Sequence, residues 1–383
     1  MIRRQKTIDQ LRLKLDDADV QCIALVWEKW IGKSTLLREL ESDGFFGEEW
    51  LYTYIYLQAW VDLDGELLKQ SMLIIIDTED ARDAFFWKNI IDMLPLGHRL
   101  IFTSDTILDF ESTEHVILGW ISFREYADSQ WYPIEIAKVL SWESDIDRLN
   151  DLKETYMERG WFPLHLTHPE TILEDFTHKR AVIESQVFTK EHEALTEYIR
   201  ALAMSVGTLF KADQLAKLLD ISRRKVNKYT EILIELGIIR AVGPWWPNTV
   251  TETSRHVKIY FTDLSFLKMI LGDNYNQGTL KLWAIENFIF LELERKLDET
   301  HKISYYRKKS WAEITFILEN IESDTVTPVE VTLRWSETIS QVFRTFDDDY
   351  HDKVERYMLI NASIWWKKDI NGIPLIILPH VAI

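Results

Sequence analysis

The stretch that decides the fold is Val20-Gln21-Cys22-Ile23-Ala24-Leu25-Val26, followed by a turn at residues 27–32 and then by Lys33-Ser34-Thr35. The first seven residues are mostly apolar, which predicts a buried strand, and residues 33–41 predict a helix. Two further runs, at 73–76 and 99–103, predict neighbouring strands. Strands that alternate with helices in this way are typical of a parallel α/β sheet.

Gly32-Lys33-Ser34, at the junction of the turn and the helix, is a pattern typical of a phosphate-binding loop. Such a loop directs backbone N–H groups and a helix N-terminus at phosphates. Lys33 is predicted to contact the β and γ phosphates and Ser34 to bind Mg²⁺, while Gly32 permits close backbone approach. A bare Gly-Lys-Ser also occurs by chance, but its place between a strand and a helix favours a nucleotide site. The predicted ligands are ATP and Mg²⁺, and the predicted nucleotide-binding residues are Trp27, Glu28, Lys29, Trp30, Ile31, Gly32, Lys33, Ser34 and Thr35.

The loop departs from the full pattern at its first glycine. The pattern G-x-x-x-x-G-K-[ST] requires glycine at position 27, where this chain has Trp27. An indole there would crowd the phosphates and lacks the backbone freedom of glycine. The sequence as written therefore predicts a damaged loop.

The second apolar run ends in Asp77, at the carboxyl end of its predicted strand, where ligands of α/β sheets bind. Asp77 is predicted to hold Mg²⁺ through water, although an aspartate at this place can also be only the cap of a strand. ATPases that activate water usually have Glu next, whereas this chain has Thr78 and then Glu79. Asp77 and Glu79 are the predicted catalytic residues, and binding is better supported than hydrolysis. The third run ends in Thr103 and Ser104, which are predicted to sense the γ-phosphate.

Composition indicates a soluble globular protein of two or three domains. The chain has 383 residues, of which 46% are hydrophobic and 28% charged, and no apolar run reaches the roughly 18 residues of a membrane helix. The first residues lack the apolar core of a signal peptide, and the single Cys22 excludes an internal disulfide or a cysteine-built metal site. We therefore predict a cytoplasmic protein. The net charge of −18 disfavours a general nucleic-acid coat.

Residues 212–229 predict two helices joined by a turn, with Ser222 as the N-cap of the second helix. Together with the wing-like strand that follows, they predict a winged helix. The second helix carries the residues that would contact DNA, which are Arg223, Arg224, Lys225 and Lys228. The alternative, slightly favoured by the acidic charge of the whole chain, is that these charges form the solvated face of a packing domain.

The last third of the chain has the skeleton of a restriction-type nuclease. Such a site uses acidic groups to hold Mg²⁺ and a lysine to orient water. Acidic positions are supplied by Glu286 at the head of a helix, Glu313 on one strand and Glu330 on the next. Thr315, however, stands where the metal-binding aspartate would be, and Thr332 stands where the lysine would be. The predicted nuclease site is therefore degenerate.

In this order the motifs resemble a widespread prokaryotic family of AAA+-like P-loop ATPases with a winged helix and a C-terminal restriction-endonuclease-like domain of unknown function. The resemblance spans nearly the whole chain and rests on the loop at 27–35, Asp77, the predicted winged helix, Ile121-Ser122-Phe123-Arg124-Glu125-Tyr126, Gly160-Trp161-Phe162-Pro163, Lys258-Ile259-Tyr260-Phe261-Thr262-Asp263, Leu282-Trp283-Ala284-Ile285-Glu286-Asn287 and Trp311-Ala312-Glu313-Ile314. It implies ATP binding and ATPase activity. The division that we predict is an ATPase core at 1–120, a helical lid or connector at 121–190, a winged helix at 191–255 and a nuclease-like domain at 256–383. Expected partners are ATP, DNA or a protein at the winged helix, and further copies of the chain, but no membrane.

Members of this family carry glycine where this chain has Trp27, Trp161, Trp283 and Trp311. The chain has only 13 Gly but 16 Trp, whereas glycine usually makes up about 7% of a protein. We hypothesise that the gene comes from an organism that reads UGA as glycine. UGG codons at all four positions would contradict this hypothesis.

Three functions follow from these patterns. The first is an ATP-driven or ATP-switched protein in which Lys33, Ser34 and Asp77 hold Mg-ATP. The second is a non-enzymatic DNA-binding or interaction protein that uses its winged helix and keeps only a vestigial phosphate loop. The third, an active nuclease, is disfavoured by Thr315 and Thr332.

Overall fold

The chain divides into two compact units. The first comprises Met1–Ile121 and Phe162–Thr167, and the second comprises Ser122–Trp161 and His168–Ile383. The computed structural model describes residues 5–17, 19–26, 33–46, 52–57, 71–78, 84–95, 97–104, 110, 113–117, 121–135, 138–139, 145–245, 256–298, 300–308, 313–333, 340–361 and 366–383.

A five-stranded sheet forms the centre of the first unit, in the order β2-β3-β4-β1-β5, and all its strand pairs are parallel. A short helix at Pro163–Thr167 also belongs to this unit. Its other elements are α1 (Gln5–Asp16), β1 (Cys22–Val26), α2 (Lys33–Ser42), β2 (Tyr52–Leu57), β3 (Leu73–Thr78), α3 (Ala84–Met93), β4 (Arg99–Ser104) and β5 (Thr113–Ile117). The α/β prediction is confirmed by this parallel sheet.

The central strands β1, β3 and β4 are buried because helices pack on the sheet. On one face, Trp87 of α3 stacks on Phe102 of β4, with ring centroids 4.2 Å apart. Successive side chains of a strand point to opposite faces. Asp77 and Thr103 therefore point to the other face, where Arg38 of α2 lies over the ring of Tyr56.

The second unit contains helices in its first half and a larger sheet in its second half. Among the described residues of both units, no helix is long and apolar enough to span a membrane. Its elements are α4 (Phe123–Ser129), α5 (Ile146–Arg159), α6 (Ile172–Ser185), α7 (His192–Ala203), α8 (Ala212–Leu218), α9 (Arg223–Glu235), β6 (Ile239–Val242), β7 (Lys258–Phe261), α10 (Leu264–Leu271), α11 (Gly278–Lys296), β8 (His301–Arg307), β9 (Glu313–Asn320), β10 (Thr325–Val331), α12 (Gln341–Tyr350), β11 (Tyr357–Asn361), β12 (Trp366–Ile370) and β13 (Ile373–Pro379).

The residue that follows the C-cap of α4 is unusual for its backbone conformation. Trp131 N donates to Asp128 O, and Tyr132 N donates to Ala127 O, each at 3.0 Å. This pair of bonds is the Schellman motif, in which the residue after the cap adopts a left-handed conformation and is usually glycine. That residue here is Trp131, with a φ of 62° and a side chain that is 93% exposed.

Helices α7, α8 and α9 precede a two-stranded antiparallel sheet of β6 and β7. Ser222 caps α9, as predicted, because its side chain accepts a hydrogen bond from Lys225 N. Leu209 forms an antiparallel bridge with Lys258 of β7. The predicted helix-turn-helix segments are therefore present as helices, and the assignment of a winged helix stays a prediction.

The second unit ends in a six-stranded mixed sheet, in the order β12-β13-β11-β10-β9-β8. The pairs β10–β11 and β11–β13 are parallel, and the other three pairs are antiparallel. Trp245, Tyr306 and Phe346 of α12 pack together in its core. A mixed sheet separate from the parallel sheet is thus confirmed, and its likeness to nucleases stays a prediction.

Candidate nucleotide site and carboxylate cluster

The predicted phosphate loop joins the described structure at the start of α2. Lys33, Ser34 and Thr35 form the first turn of this helix, and the structure describes their backbone but not their side chains. Residues 27–32 and Glu79 lie outside the described residues. The helix begins at the predicted residue, while the ligand roles of the loop stay a prediction.

The strand order creates a switch point beside β1. β1 lies between β4 and β5. After β1 the chain continues to β2 at one edge of the sheet, and after β4 it continues to β5 at the other edge. Where neighbouring parallel strands send their connections in opposite directions, a crevice forms outside their carboxyl ends, and ligands of α/β sheets bind there. β1, the strand that precedes the predicted loop in the sequence, ends at this crevice.

Asp77 lies near the carboxyl end of β3 and is fully buried. Tyr54 Oη donates to Asp77 Oδ2 at 2.8 Å, and Thr103 Oγ1 donates to Asp77 Oδ1 at 3.4 Å. Thr103 Oγ1 also accepts from Thr78 N at 2.9 Å. The structure thus brings together two predicted residues, Asp77 and Thr103, and adds Tyr54, which sequence reasoning missed.

Tyr54 is a neutral hydrogen-bond donor to this carboxylate. Burial, followed by the charge of Asp77, raises the pKa of Tyr54 well above its usual value. Arg38 of α2 interacts with Tyr54 from the helix side. Ser104, the last residue of β4, is also buried and pairs with Val26 in the strand register, and its sensor role stays a prediction.

The basic residues of α9 lie close to acidic groups. Lys225 Nζ and Lys228 Nζ each lie 3.3 Å from a carboxylate oxygen of Glu191. Arg223 Nη1 lies 3.4 Å from a carboxylate on α8, whereas Arg224 is an exposed residue of the first turn. DNA affinity depends on free positive charge at phosphates, so these pairs weaken the case for DNA contact by α9.

Lys258, the first residue of β7, is the buried centre of an ion cluster. Its side chain is 2% exposed, and Nζ lies 2.6 Å from Glu313 Oε1 and 3.3 Å from Glu286 Oε1. On its other oxygen, Glu313 is bound by Arg307 Nη1 at 3.1 Å. Two of the predicted acidic positions therefore meet at one ammonium group, which sequence reasoning did not assign to the site.

Glu286 and the next residue of α11, Asn287, make further hydrogen bonds with β7. Tyr260 Oη donates to Glu286 Oε1 at 2.6 Å. Asn287 Oδ1 accepts from Phe261 N, and Asn287 Nδ2 donates to Phe261 O, each at 2.8 Å. Consecutive residues of one helix thus hold the side chains and the backbone of one strand.

Burial and charge act in opposite directions in this cluster. Burial alone would lower the pKa of Lys258, but the carboxylates of Glu286 and Glu313 raise it above its usual value. Burial raises the pKa of Glu286, and the charge of Lys258 opposes that shift. Lys258 is therefore held in its charged form.

The other predicted nuclease positions make different contacts. Thr315 Oγ1 accepts from Val331 N at 3.2 Å, and Thr332 O accepts from His380 Nε2 at 3.0 Å. Burial raises the pKa of Glu330, whose Oε2 is buried without a hydrogen-bond partner among the described residues. Thr315 and Thr332 are thus engaged in backbone hydrogen bonds.

Comparison with known proteins gives one family match and two relatives. A model described as a domain of unknown function (DUF8612) matches residues 179–277, which include α7 to α9 and the β6–β7 pair. The chain is 28% identical over 121 residues to an uncharacterised protein of Mycobacterium tuberculosis and equally to one of Mycobacterium bovis. The match covers 31% of this chain and 27% of each relative, so the chain spans about a quarter of the length of the curated relatives it matches.

Several solved structures are similar to the chain at low identity. A Walker-type ATPase of Pyrococcus abyssi has a TM-score of 0.38 and 9% identity, over 70% of this chain and 96% of that one. The ORC1 protein of Aeropyrum pernix, solved in complex with DNA, has a TM-score of 0.28 and 14% identity, over 72% and 94% of the two chains. Cdc6p of Pyrobaculum aerophilum has a TM-score of 0.25 and 12% identity, over 70% and 93%. With TM-scores of this size, function has to be argued from the residues of the chain itself.

Proposed function

We propose that the chain binds ATP with Mg²⁺ at the carboxyl edge of its five-stranded sheet. The observation that carries this proposal is the position of Asp77, which is fully buried near the end of β3. Its side chain points to the face of the sheet on which α2 lies, and α2 is the helix that begins at Lys33. Gly32-Lys33-Ser34 and an acidic strand end are the two parts that a Mg-nucleotide site requires.

Each part has a defined task in binding. The first turn of α2 offers backbone N–H groups and the positive end of the helix dipole to phosphate oxygens. Lys33 adds a charge at the β and γ phosphates, and Ser34 supplies a hydroxyl oxygen to Mg²⁺. Mg²⁺ commonly takes one or two carboxylates together with phosphate oxygens and water, and the Asp77 carboxylate fits that donor set.

The hydroxyl groups of Tyr54 and Thr103 orient Asp77. One hydroxyl binds each carboxylate oxygen. A hydroxyl donor fixes the direction of a carboxylate without adding a positive charge of its own. Hydrolysis is the next step of the proposal, and it requires Glu79 or another base to activate water.

Calorimetric titration of Mg-ATP into the full chain tests this function. The chain is made in two forms, with Trp27 and with Trp27→Gly, because an indole at the first loop position would crowd the phosphates. We expect the Trp27→Gly form to bind and Lys33→Ala in that form to weaken binding by at least about tenfold, the loss of a phosphate-contacting charge. Hydrolysis is then measured in the same form with and without Glu79→Gln.

Lys88→Ala is the matched control for the charge change. Lys88 is exposed on α3, on the opposite face of the sheet from Asp77. Its replacement should leave the affinity unchanged. If Lys33→Ala and Lys88→Ala bind equally well, or if neither form of the chain binds, the nucleotide site is wrong.

A second proposed function is DNA binding by residues 191–255 as a winged helix. Its support is the order of three helices followed by β6, which pairs with β7 just beyond this range, together with the exposed position of Arg224. We expect salt-dependent binding of duplex DNA that Arg224→Ala weakens, with a smaller effect of Lys228→Ala because Glu191 already pairs with that lysine. Duplex affinity that neither variant changes would exclude α9 as the contact.

A further inference from the structure

The carboxylates that the sequence suggested as the remains of a magnesium site converge on a side chain of the protein itself. Glu286 comes from α11 and Glu313 from β9, and both lie within 3.3 Å of Lys258 Nζ. Lys258 comes from β7, a strand of the small antiparallel pair. Three separate elements thus deliver two acidic groups and one cation to a single buried point.

We propose that the ammonium group of Lys258 is the resident cation of this carboxylate site and excludes a divalent metal from it. Because Lys258 is part of the chain, the site is closed to metal permanently, and its carboxylates serve a structural role. This inference does not depend on ATP binding in the first unit.

The ammonium group of Lys258 contacts both carboxylates and one aromatic ring. An ammonium group has three donors and no acceptor. One donor meets Glu313 Oε1 at 2.6 Å, another meets Glu286 Oε1 at 3.3 Å, and Nζ lies 5.6 Å from the ring centroid of Tyr305, within the range of a cation–π contact. The charge is thus surrounded by partners on several sides.

The oxygen that a metal ion would need from Glu286 is crowded. Glu286 Oε1 already accepts from Tyr260 Oη at 2.6 Å as well as from Lys258. A Cβ placed on Gly207 would lie 3.0 Å from the same oxygen, so the backbone at this glycine also approaches it closely. Mg²⁺ requires near-octahedral oxygens at about 2.0–2.1 Å and usually retains several waters, and this packing does not fit that shell.

Charge balance favours the same conclusion. Lys258 and Arg307 carry two positive charges, and the ionised carboxylates of Glu286 and Glu313 carry two negative charges. A divalent ion added to this set would leave net positive charge beside the buried Lys258 and Glu286, and an uncompensated charge costs free energy where water is excluded. Thr315 cannot offset this cost, because a hydroxyl replaces the carboxylate expected there and already accepts from Val331 N.

Manganese titration of the full chain without nucleotide tests the proposal, with free Mn²⁺ followed by electron paramagnetic resonance. We expect the native chain and Glu313→Gln to bind Mn²⁺ identically, through weak surface sites alone. Lys258→Ala removes the internal cation and opens space beside both carboxylates. It should gain one site at least about tenfold tighter than the surface sites, and Lys258→Ala combined with Glu313→Gln should lack that site.

Two results would overturn the proposal. The first is a Mn²⁺ site in the native chain that Glu313→Gln abolishes, since a metal would then bind despite Lys258. The second is a Lys258→Ala chain that is folded by circular dichroism but titrates like the native chain. If Lys258→Ala does not fold, the comparison of the native chain with Glu313→Gln decides the question, because it requires no change at Lys258.

Discussion

The two acidic sites of this protein differ in the groups that hold their carboxylates. In the parallel sheet, Asp77 accepts hydrogen bonds from the hydroxyl groups of Tyr54 and Thr103. In the mixed sheet, Glu313 is bound by the ammonium of Lys258 and the guanidinium of Arg307. A hydroxyl group orients a carboxylate without adding charge, whereas a directly bound cation neutralises it. The first arrangement suits a site that receives a metal ion, and the second suits a permanent contact.

The largest expected effect follows from removing the positive charge of Lys258 in the mixed-sheet site. Lys258→Met keeps most of the aliphatic side chain and removes its charge, which leaves the buried Glu286 and the partly buried Glu313 without the ammonium between them. Removing one partner of a buried ion pair costs about 3–5 kcal/mol. We expect a loss of this size in the free energy of unfolding of the second unit, measured by urea titration with circular dichroism.

Two control replacements compare this cost with that of an exposed ion pair and with that of the Asp77 site. Lys138→Met breaks an exposed ion pair with Glu135, whose side chains are 51% and 52% exposed, and should cost less than about 1 kcal/mol. Asp77→Asn keeps an oxygen that can accept from Tyr54 or Thr103 and should cost about 1 kcal/mol. If Asp77→Asn costs as much as Lys258→Met, the two sites do not differ in the way described.

A smaller effect, specific to the second unit, comes from His380. Burial, helped by Lys153, lowers the pKa of His380 to about 3, against about 6.5 in an unfolded chain. Between these two pH values the unfolded chain binds more protons, so the free energy of unfolding decreases as the pH falls below about 6.5. From pH 6.5 to pH 5 we expect this group to remove about 2 kcal/mol, measured by urea unfolding at each pH.

His380→Gln should remove this part of the pH dependence while keeping a donor for Thr332 O. His168→Gln changes an exposed histidine, 60% exposed, and should leave the dependence as it is in the native chain. An unchanged pH dependence in His380→Gln would show that another group titrates.

The hydroxyl-held site allows a finer test through Tyr54. Tyr54→Phe removes the 2.8 Å hydrogen bond to Asp77 Oδ2 and should cost about 1 kcal/mol in unfolding free energy. Because Asp77 then loses part of its orientation, we also expect Mg-ATP affinity to fall severalfold in the Trp27→Gly form. Tyr52→Phe, on the same strand, is the control, and an equal effect of both replacements would remove the positioning role of Tyr54.

The smallest expected effect is that of replacing Trp131 by glycine, and Trp87 of the first unit is its contrasting control. Trp131 follows the cap of α4 with a φ of 62° and a side chain 93% exposed. Glycine adopts this conformation without the steric cost of a Cβ, so Trp131→Gly should stabilise the second unit by about 1 kcal/mol. In the first unit Trp87 is fully buried and stacked on Phe102, so Trp87→Gly should cost about 3–5 kcal/mol or more.

Trp131 and Trp87 also give a test of the hypothesis that the native host reads UGA as glycine. If the native host reads UGA as glycine, we expect UGA at the codon for residue 131 and UGG at the codon for residue 87. Peptide mass spectrometry of the protein from that host would show glycine at 131 and tryptophan at 87. Tryptophan at both positions, and at 27, 161, 283 and 311, would contradict the hypothesis.

The centre of the parallel sheet could be predicted from sequence, but its edges could not. β1, β3 and β4 lie inside the sheet and are apolar runs, because helices cover both their faces. β2 and β5 lie at the two edges and mix polar with apolar residues, as in Thr113-Glu114-His115-Val116-Ile117. Edge strands need fewer apolar side chains, so periodicity alone missed them.

The candidate sites show the same limit. Asp77 could be predicted because its strand and its position at the carboxyl end are both local features. The partners Tyr54 and Lys258 could not, because pairing between distant segments decides them: Tyr54 reaches Asp77 from a neighbouring strand, and Lys258 meets a glutamate 28 residues further along the chain. Lys258 was visible only as the first residue of a family motif, and nothing in its neighbourhood predicts a buried lysine.

The two hydrogen bonds between Asn287 and Phe261 have a consequence for the dynamics of the second unit. One side-chain amide binds both the N–H and the C=O of a single residue, in the way that a neighbouring strand would. The N–H of Phe261 can exchange its hydrogen with solvent only when this contact opens, and the contacts of Lys258 and Tyr260 with Glu286 oppose that opening. We therefore expect β7 and α11 to open as one cooperative unit and the Phe261 amide to be among the slowest to exchange in the second unit.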